Sequence, residues 1–127
     1  MNDLINELEN QAQAGIAAYG NGQVEEAETI LNDVITIDGS HVGALQTLGT
    51  IHFARGDYAG AEIYVLKALV FGGSEASLCL DAAEIAIKDG RFVHARVFMN
   101  RFQGTDCTEA MQRQRAAEIA EILLEAS

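Results

Sequence analysis

Five side chains are the obvious candidates for metal binding or nucleophilic catalysis: His41, His52, His94, Cys79 and Cys107. A zinc site needs ligands at short fixed spacings, as in HExxH or CxxC, and none of the five has a second ligand so placed. A nucleophilic thiol also needs a neighbouring base, and the sequence places none beside either cysteine. A glycine-rich phosphate-binding loop is absent as well. We therefore predict a protein that is not an enzyme and that holds no metal or other cofactor.

The overall composition and charge restrict the partners that the chain can have. Its 127 residues are 49% hydrophobic, which suits one globular domain, and a net charge of −11 disfavours binding to nucleic acid or anionic lipid. No apolar run approaches the ~18–20 residues of a transmembrane helix, so we predict no membrane insertion. The N-terminus lacks the pattern of a signal peptide, and two isolated cysteines suit a reducing compartment, so we expect a cytoplasmic protein.

The charges are distributed unevenly along the chain. Residues 1–54 contain no Lys or Arg, and all 8 basic residues lie between Arg55 and Arg115. Two explanations stay open at this level. The acidic half either keeps the protein soluble or steers a basic segment of a partner towards it.

An internal repeat of 34 residues predicts the elements that position these side chains. The recurring columns are Gly15/Gly49/Ala83, Gly22/Gly56/Gly90, Val24/Tyr58/Phe92, Ala27/Ala61/Ala95 and Leu31/Val65/Met99. A glycine inside a helix costs about 1 kcal/mol of helix propensity, and such a residue is favoured where a second helix must approach closely. The glycines of the second column predict helix ends, because glycine adopts a left-handed backbone at little cost.

This repeat resembles that of the tetratricopeptide family, in which each unit is a pair of antiparallel helices, and "LQTLGTIHFARGDYAGAEIYVLKAL" is the clearest copy. The resemblance implies an all-α fold: a right-handed superhelix of three helix hairpins plus a C-terminal capping helix, in one domain spanning 1–127. The repeats are expected at about 8–41, 42–75 and 76–109, and the capping helix at about 109–125.

The pattern also predicts the individual helices. First helices are expected at about 3–20, 41–54 and 75–88, and second helices at about 24–37, 58–70 and 92–102. Ser40, Asp57 and Ser74 are the expected N-caps. The alanines of the capping helix that we expect to face inward are Ala116, Ala117 and Ala120. Its other apolar residues offer surface for a homodimer.

Repeat stacks of this family bind partners along the concave face that their first helices line. The side chains expected to form this groove are Ile16, Tyr19, Gln46, Thr50, Phe53, Leu80, Glu84 and Ile87. They make an apolar trough with a few hydrogen-bonding groups. They lack the Lys, Asn and Arg with which some members of the family grip a terminal carboxylate, so binding of heat-shock chaperone tails is disfavoured. Packing between neighbouring helices is the simpler explanation for any single one of them.

Within this family, the chain is most similar to the type III secretion chaperones for translocator proteins, which are small acidic bacterial proteins of three repeats. The similarity rests on Tyr19 before Gly22, on Asp38, on "TLGTIHFARGDYAGA" and on the Ala-Ala-Glu of "LDAAEIAIKDG". The chain departs from that group at Phe53, which replaces one of the central tyrosines. Its N-terminal extension, a segment that often mediates dimerisation in the group, is short.

This resemblance implies an ATP-independent chaperone of the bacterial cytoplasm that holds an aggregation-prone secretion client in its groove. Translocators and needle-type subunits both stay open as clients, because needle-subunit chaperones have the same architecture at about this length. The alternative is a scaffold, a tetratricopeptide module that assembles a bacterial multiprotein complex and holds no transient client.

Overall fold

The computed structural model describes residues 2–126, with side chains from Asp3 onward, and this part of the chain forms seven α-helices and no strand. The helices are α1 (Asn2–Gly20), α2 (Val24–Ile37), α3 (Val42–Ala54), α4 (Tyr58–Val70), α5 (Glu75–Lys88), α6 (Phe92–Gln103) and α7 (Ala110–Glu125). The predicted bounds are confirmed to within two residues at every helix end. Among these helices, none combines the length and the apolar character that a membrane crossing requires.

Two compact units divide the chain, and each is described by itself. Unit 1 ends at Phe71 and contains α1 to α4, and unit 2 begins at Gly72 and contains α5 to α7. In unit 1, α1 packs on α2 and α3 packs on α4, so this unit consists of two helix hairpins. In unit 2, α5 and α6 form a hairpin, and α7 packs on both. The predicted all-α fold of three hairpins and a terminal helix is confirmed, whereas the right-handed superhelix and the repeat boundaries stay predictions.

Each first helix is followed, two residues after its last residue, by a glycine of the second repeat column. Gly22, Gly56 and Gly90 have φ angles of 81°, 80° and 74°, in the left-handed region that favours glycine. The N–H of each glycine donates to the carbonyl three residues earlier at 3.0 Å, and the next N–H donates to the carbonyl five residues earlier at 2.8–2.9 Å. These paired hydrogen bonds are the Schellman motif, so one local device turns the chain at all three hairpins.

Two of the three predicted N-caps are confirmed, and the third is wrong. The Asp57 carboxylate accepts a hydrogen bond from the Gly60 N–H at 3.0 Å, and the Ser74 hydroxyl accepts one from the N–H of Ser77 at 3.4 Å.

Ser40 does not cap α3, because its side chain is engaged in the preceding turn. Its hydroxyl and its N–H both donate to Asp38 Oδ1, at 2.6 and 3.1 Å. His41 takes the capping position instead, and its Nδ1 accepts a hydrogen bond from the Ala44 N–H at 3.1 Å. The helix therefore begins at Val42, one residue later than predicted.

The column of small residues marks close approaches within the hairpins. A Cβ atom added to Gly15 would lie 2.7 Å from Leu31 Cδ2, a distance that real Cβ atoms essentially never show. At Gly49, an added Cβ would lie 3.4 Å from the carbonyl oxygen of Ala61, which is itself fully buried. Small side chains at these positions let the two helices of a hairpin approach closely, as their spacing predicts.

The inward face of α7 differs from the prediction. Ala116 is buried as expected, but Ala117 is exposed and Ala120 is partly exposed, and the principal buried side chains are Ile119 and Leu123. Positions 116, 119 and 123 recur at helical spacing, so Ala116 shares the packed face with Ile119 and Leu123, and this face does not centre on Ala117 and Ala120.

Candidate functional site

Both predicted groove residues of α1 lie partly in the core of unit 1 and remain partly exposed. Ile16 packs against the buried cluster formed by Ala12, Leu31, Val34, Ala44 and Leu48, and Tyr19 packs against the cluster formed by Ala18, Ala27 and Ile51. A Cβ atom added to Gly43 of α3 would lie 3.3 Å from Ile16 Cδ1. The absence of a side chain at Gly43 therefore lets Ile16 lie directly against α3.

The three predicted groove residues of α3 lie on one face of that helix, because they are separated by four and three positions. Gln46 and Phe53 are partly buried and Thr50 is exposed. The Thr50 hydroxyl donates to the carbonyl of Gln46 at 3.1 Å. The Phe53 ring lies 5.6 Å from the ring of Tyr58, between centroids, and the two rings are tilted by 57°. This contact holds the Phe53 ring in place and leaves part of it accessible.

A histidine ties the two first helices of unit 1 together. The nitrogen Nδ1 of His41 accepts from the Ala44 N–H, so in the neutral ring the proton resides on Nε2, which lies 2.8 Å from Glu9 Oε2. Hydrogen bonds from Gln13 and from His41 lower the pKa of Glu9. One imidazole therefore caps α3 and also holds the carboxylate of α1.

A second cluster joins α2 to the following hairpin. Nδ1 of His52 lies 2.8 Å from Asp57 Oδ2, its Nε2 lies 3.7 Å from Glu28 Oε2, and its ring centroid is 5.1 Å from that of Tyr64. Arg55 donates to Glu28 Oε1 at 2.8 Å. The pKa of Asp57 is lowered by the Gly60 N–H and then by His52. The role of His52 in this structure is to connect helices.

In unit 2, the predicted residues fall into different environments. Leu80 has no exposed surface. The buried residues of α5 include three consecutive positions, 78–80, which point in directions about 100° apart, so more than one face of this helix is covered. Leu80 therefore offers no surface to a partner, in contrast to the prediction, whereas Ile87 and Glu84 remain partly exposed.

Glu84 is held by a residue of α7 that the sequence analysis did not identify. The Arg115 guanidinium donates from Nε to Glu84 Oε1 and from Nη2 to Asp81 Oδ1, the latter at 2.8 Å. Burial lowers the pKa of Arg115, but the hydrogen bonds to both carboxylates outweigh it and raise the pKa above its ordinary value. One signal was available, since Arg115 follows Asp81 by one repeat length of 34 residues with the opposite charge.

The arrangement is chemically suited to non-covalent binding. Apolar surface that is partly exposed is provided by Ile16, Tyr19 and Phe53, and polar groups are provided by Gln46 and Thr50 on the same face of α3 as Phe53.

The Cys79 thiol is fully enclosed, and burial raises its pKa. Its reactive thiolate form is therefore disfavoured.

Comparison with known proteins gives a clear result only at the level of structure. No protein-family profile matches the amino-acid sequence, and no curated protein matches it either. The fold, by contrast, is that of the tetratricopeptide-repeat proteins. YrrB, a tetratricopeptide protein with an unusual peptide-binding site, is similar with a TM-score of 0.73 and 16% identity, over 86% of this chain and 56% of YrrB.

Among solved structures, the chain is similar to type III secretion translocator chaperones. SycD of Yersinia enterocolitica has a TM-score of 0.81 and 18% identity over 94% of this chain and 83% of SycD. The structure of SycD with a peptide of the translocator YopD matches with a TM-score of 0.81 and 20% identity over 95% and 92% of the two chains. PcrH, known from Pseudomonas aeruginosa, matches in its complex with the chaperone-binding region of PopD, with a TM-score of 0.77 and 18% identity over 98% and 92%.

Proposed function

We propose that this protein is a chaperone that binds a segment of a secreted client without ATP, through the partly exposed side chains of its first helices. The proposed contacts are Ile16, Tyr19, Gln46, Thr50 and Phe53 in unit 1, and Glu84 and Ile87 in unit 2. Leu80 is left out because it is buried. The client is a type III secretion translocator or needle-type subunit, the compartment is the bacterial cytoplasm, and the chain acts as a binding protein rather than an enzyme.

The observation that carries this proposal is the similarity of fold to SycD and PcrH over nearly the whole chain. Two of those structures contain a segment of a translocator, YopD or PopD. The local chemistry agrees with the same use, because Tyr19 and Phe53 combine apolar rings with partial exposure and aromatic anchors dominate many protein interfaces.

The exposed surface limits the affinity that unit 1 provides. A fully buried large apolar side chain contributes about 1.5–3 kcal/mol, so three that are already partly buried contribute roughly 2–5 kcal/mol in total. Association costs remove much of this gain. A short peptide is therefore expected to bind in the micromolar range or more weakly, and tight binding requires a longer client segment.

The double substitution Tyr19→Ala with Phe53→Glu tests the proposed contacts. It is expected to weaken client binding by more than ~2 kcal/mol, or about 30-fold, because it removes one anchor and introduces a charge at another. Isothermal titration with the co-purified client segment measures the loss, and circular dichroism checks the helix content.

Ile37→Glu is the matched control for this experiment, because Ile37 is an exposed apolar residue at the end of α2, outside the proposed contacts. Its affinity for the client is expected to equal that of the unsubstituted protein. Unchanged affinity in the Tyr19/Phe53 variant, with a folded protein, would contradict the proposed site.

The scaffold alternative predicts a different set of partners. Affinity purification from the native bacterium is expected to recover a secreted translocator or needle subunit in stoichiometric amount. Recovery of only permanent components of a multiprotein complex, retained in equal amount whether or not secretion is active, would support the scaffold and contradict the chaperone.

A further inference from the structure

A positioned carboxylate lies on α1 ahead of the proposed contacts of unit 1. Glu9 Oε2 lies 2.8 Å from His41 Nε2, and Glu9 Oε1 accepts a hydrogen bond from Gln13 Nε2 at 2.8 Å. Gln13 belongs to the next turn of α1 and His41 directly precedes α3, so the carboxylate is fixed between these two first helices. The Glu9 side chain is nonetheless 53% exposed, whereas that of His41 is 14% exposed. The Glu9 carboxylate is therefore held in one place and remains open to solvent.

This carboxylate is ionised and has the capacity to accept from a further donor. Hydrogen bonds from Gln13 and then from His41 lower the pKa of Glu9, which keeps the negative charge at neutral pH. A carboxylate has about four acceptor positions on its two oxygens, and Gln13 and His41 use one position on each oxygen. A donor of a partner protein can therefore bind to Glu9 without displacing either neighbour.

The helices around Glu9 supply no permanent cation for this role. Residues 1–54, which include α1, α2 and α3, contain eight acidic residues and no Lys or Arg. Arg55, the first basic residue of the chain, donates to Glu28 on α2. An uncompensated negative charge of this kind attracts a basic segment of a partner and repels an acidic one. Of the two explanations for the uneven distribution of charge, these contacts favour the attraction of a basic partner.

Glu9 also lies on the same side of α1 as the apolar contacts. Ile16 follows Glu9 by seven residues, which places the two residues within about 20° of each other around the helix axis and about 10 Å apart along it. The other acidic residues of α1, Asp3 and Glu7, are about 120° and 160° away from Glu9 around the axis. Glu9 is therefore the acidic residue of α1 that shares a surface with Ile16 and Tyr19.

We propose that Glu9 is a partner-binding residue that selects a client segment in which a Lys or Arg side chain lies about 10 Å from an apolar one. This inference rests on the proposed function, because it adds the chemical class of the client to the contacts already proposed. In an extended segment, which rises about 3.3 Å per residue, the distance corresponds to three residues. The basic side chain then donates to the Glu9 carboxylate while the apolar side chain contacts Ile16 and Tyr19.

Binding of synthetic peptides to the full chain, measured by fluorescence anisotropy, tests this selection. Each peptide has about ten residues, too few for a stable helix in water, and contains two leucines at fixed central positions in a background of Gly and Ser. A single Lys, Arg, Glu or Ser is placed at each remaining position in turn. A Lys or Arg three residues from a leucine is expected to bind about three- to fivefold more tightly than Ser, the range for a partly exposed charge pair, and Glu is expected to bind more weakly. High salt is expected to reduce these differences, because it screens exposed charges.

Substitutions at Glu9 separate recognition of the client from a structural role. Glu9→Gln keeps the size of the side chain and an acceptor for His41, so it is expected to remove the preference for Lys and Arg and to leave the affinity of the Ser peptide unchanged. Glu9→Lys is expected to reverse the preference, so that the Glu peptide binds most tightly. A merely structural role would weaken all peptides by the same factor. The matched control is Glu7→Gln, which removes the same charge from an exposed residue on another side of α1 and is expected to keep the preference.

Two kinds of failure are distinguishable in this experiment. Equal affinity for the Lys and Glu peptides in the unsubstituted protein, or a preference that persists in Glu9→Gln, would overturn the role of Glu9. The proposed contacts would still stand if the Ser peptide binds more weakly to the Tyr19→Ala, Phe53→Glu variant. If no peptide binds, or if that variant binds every peptide as tightly as the unsubstituted protein, the proposed contacts and the role of Glu9 are both contradicted.

Discussion

The two units connect equivalent helices with different chemistry. In unit 1, α3 is tied to α1 by the His41–Glu9 pair and to α2 by Arg55 and Glu28. In unit 2, α7 is tied to α5 by Arg115, which bridges two carboxylates. The relation of α1 to α3 is repeated by α5 and α7, since Arg115 of α7 follows Asp81 of α5 by one repeat length of 34 residues. The repeat therefore specifies which helices are neighbours and leaves open the polar contacts that join them.

Both units depend on apolar packing. Disrupting this packing is expected to lower the free energy of unfolding more than any other change considered below. Ala61→Leu enlarges a fully buried side chain on a residue whose backbone lies against Gly49, and overpacking of this kind costs about 1–3 kcal/mol or more. Ala95→Leu, in the same column of unit 2, is expected to have a comparable effect because Ala95 is also fully buried. Chemical denaturation measures both free energies of unfolding.

Ala59→Leu is the control for the packing prediction, because Ala59 is an exposed residue of the same helix as Ala61. Its free energy of unfolding is expected to change little. If Ala59→Leu and Ala61→Leu destabilise the protein equally, the close approach at Gly49 is not the cause.

Removal of the Arg115 guanidinium in unit 2 is expected to cause the next largest loss in the free energy of unfolding. Arg115→Ala leaves Asp81 and Glu84 as two partly buried carboxylates near each other. Hydrogen bonds to charged groups contribute about 1.5–3 kcal/mol when buried, and partial exposure reduces the expected loss to about 1–2 kcal/mol. Arg115→Lys keeps the charge without the fork geometry, so an intermediate loss is expected.

Hydrogen exchange at the backbone amides of α7 shows whether the Arg115→Ala variant loses stability in this helix. The control is Arg113→Ala, which removes an exposed arginine of the same helix. Faster exchange is expected in α7 of the Arg115 variant only. Equal protection of α7 in the two variants would mean that Arg115 does not hold this helix.

Acid pH is expected to reduce the free energy of unfolding by a smaller amount, through the protonation of Asp57 in unit 1. The hydrogen bond from the Gly60 N–H, and then His52, lower the pKa of Asp57, so its stabilising contribution is present above the unfolded value of about 4 and is lost as the pH falls through the folded value. Asp57→Asn is expected to be less stable than the unsubstituted protein at pH 7. The difference should shrink as the pH falls below the unfolded value of about 4, as followed by denaturation at each pH.

The stabilising contribution of Arg115 has the opposite pH dependence. Because its pKa is raised, this contribution is present at acid and neutral pH and is lost only at extreme alkaline pH.

Asp33→Asn, which replaces an exposed carboxylate of α2, is the control for Asp57→Asn. A difference between Asp57→Asn and the unsubstituted protein that stays constant down to pH 2 would contradict the assigned cause.

Much of the candidate site was predictable, but the exposure of its residues was not. Ile16, Tyr19 and Phe53 were identified by their repeat positions, and they do keep partly exposed surface. Leu80 occupies the same repeat position as Gln46, yet Leu80 is fully buried and Gln46 is partly exposed. Arg115 was missed because its two partners lie on another helix, 34 and 31 residues earlier. Exposure and ion pairing depend on which distant elements cover a residue, and a periodic pattern does not contain that information.

The sequence by itself determined the helices, their ends and their pairing into hairpins. These features depend on local backbone preferences, such as the left-handed glycines at 22, 56 and 90, and on small side chains that recur at a fixed spacing. Only the tertiary structure decided that His41 and not Ser40 caps α3 and that Leu80 is enclosed. Each of these outcomes is decided by competition among neighbouring groups for hydrogen bonds or for burial, which arises only once the helices pack together.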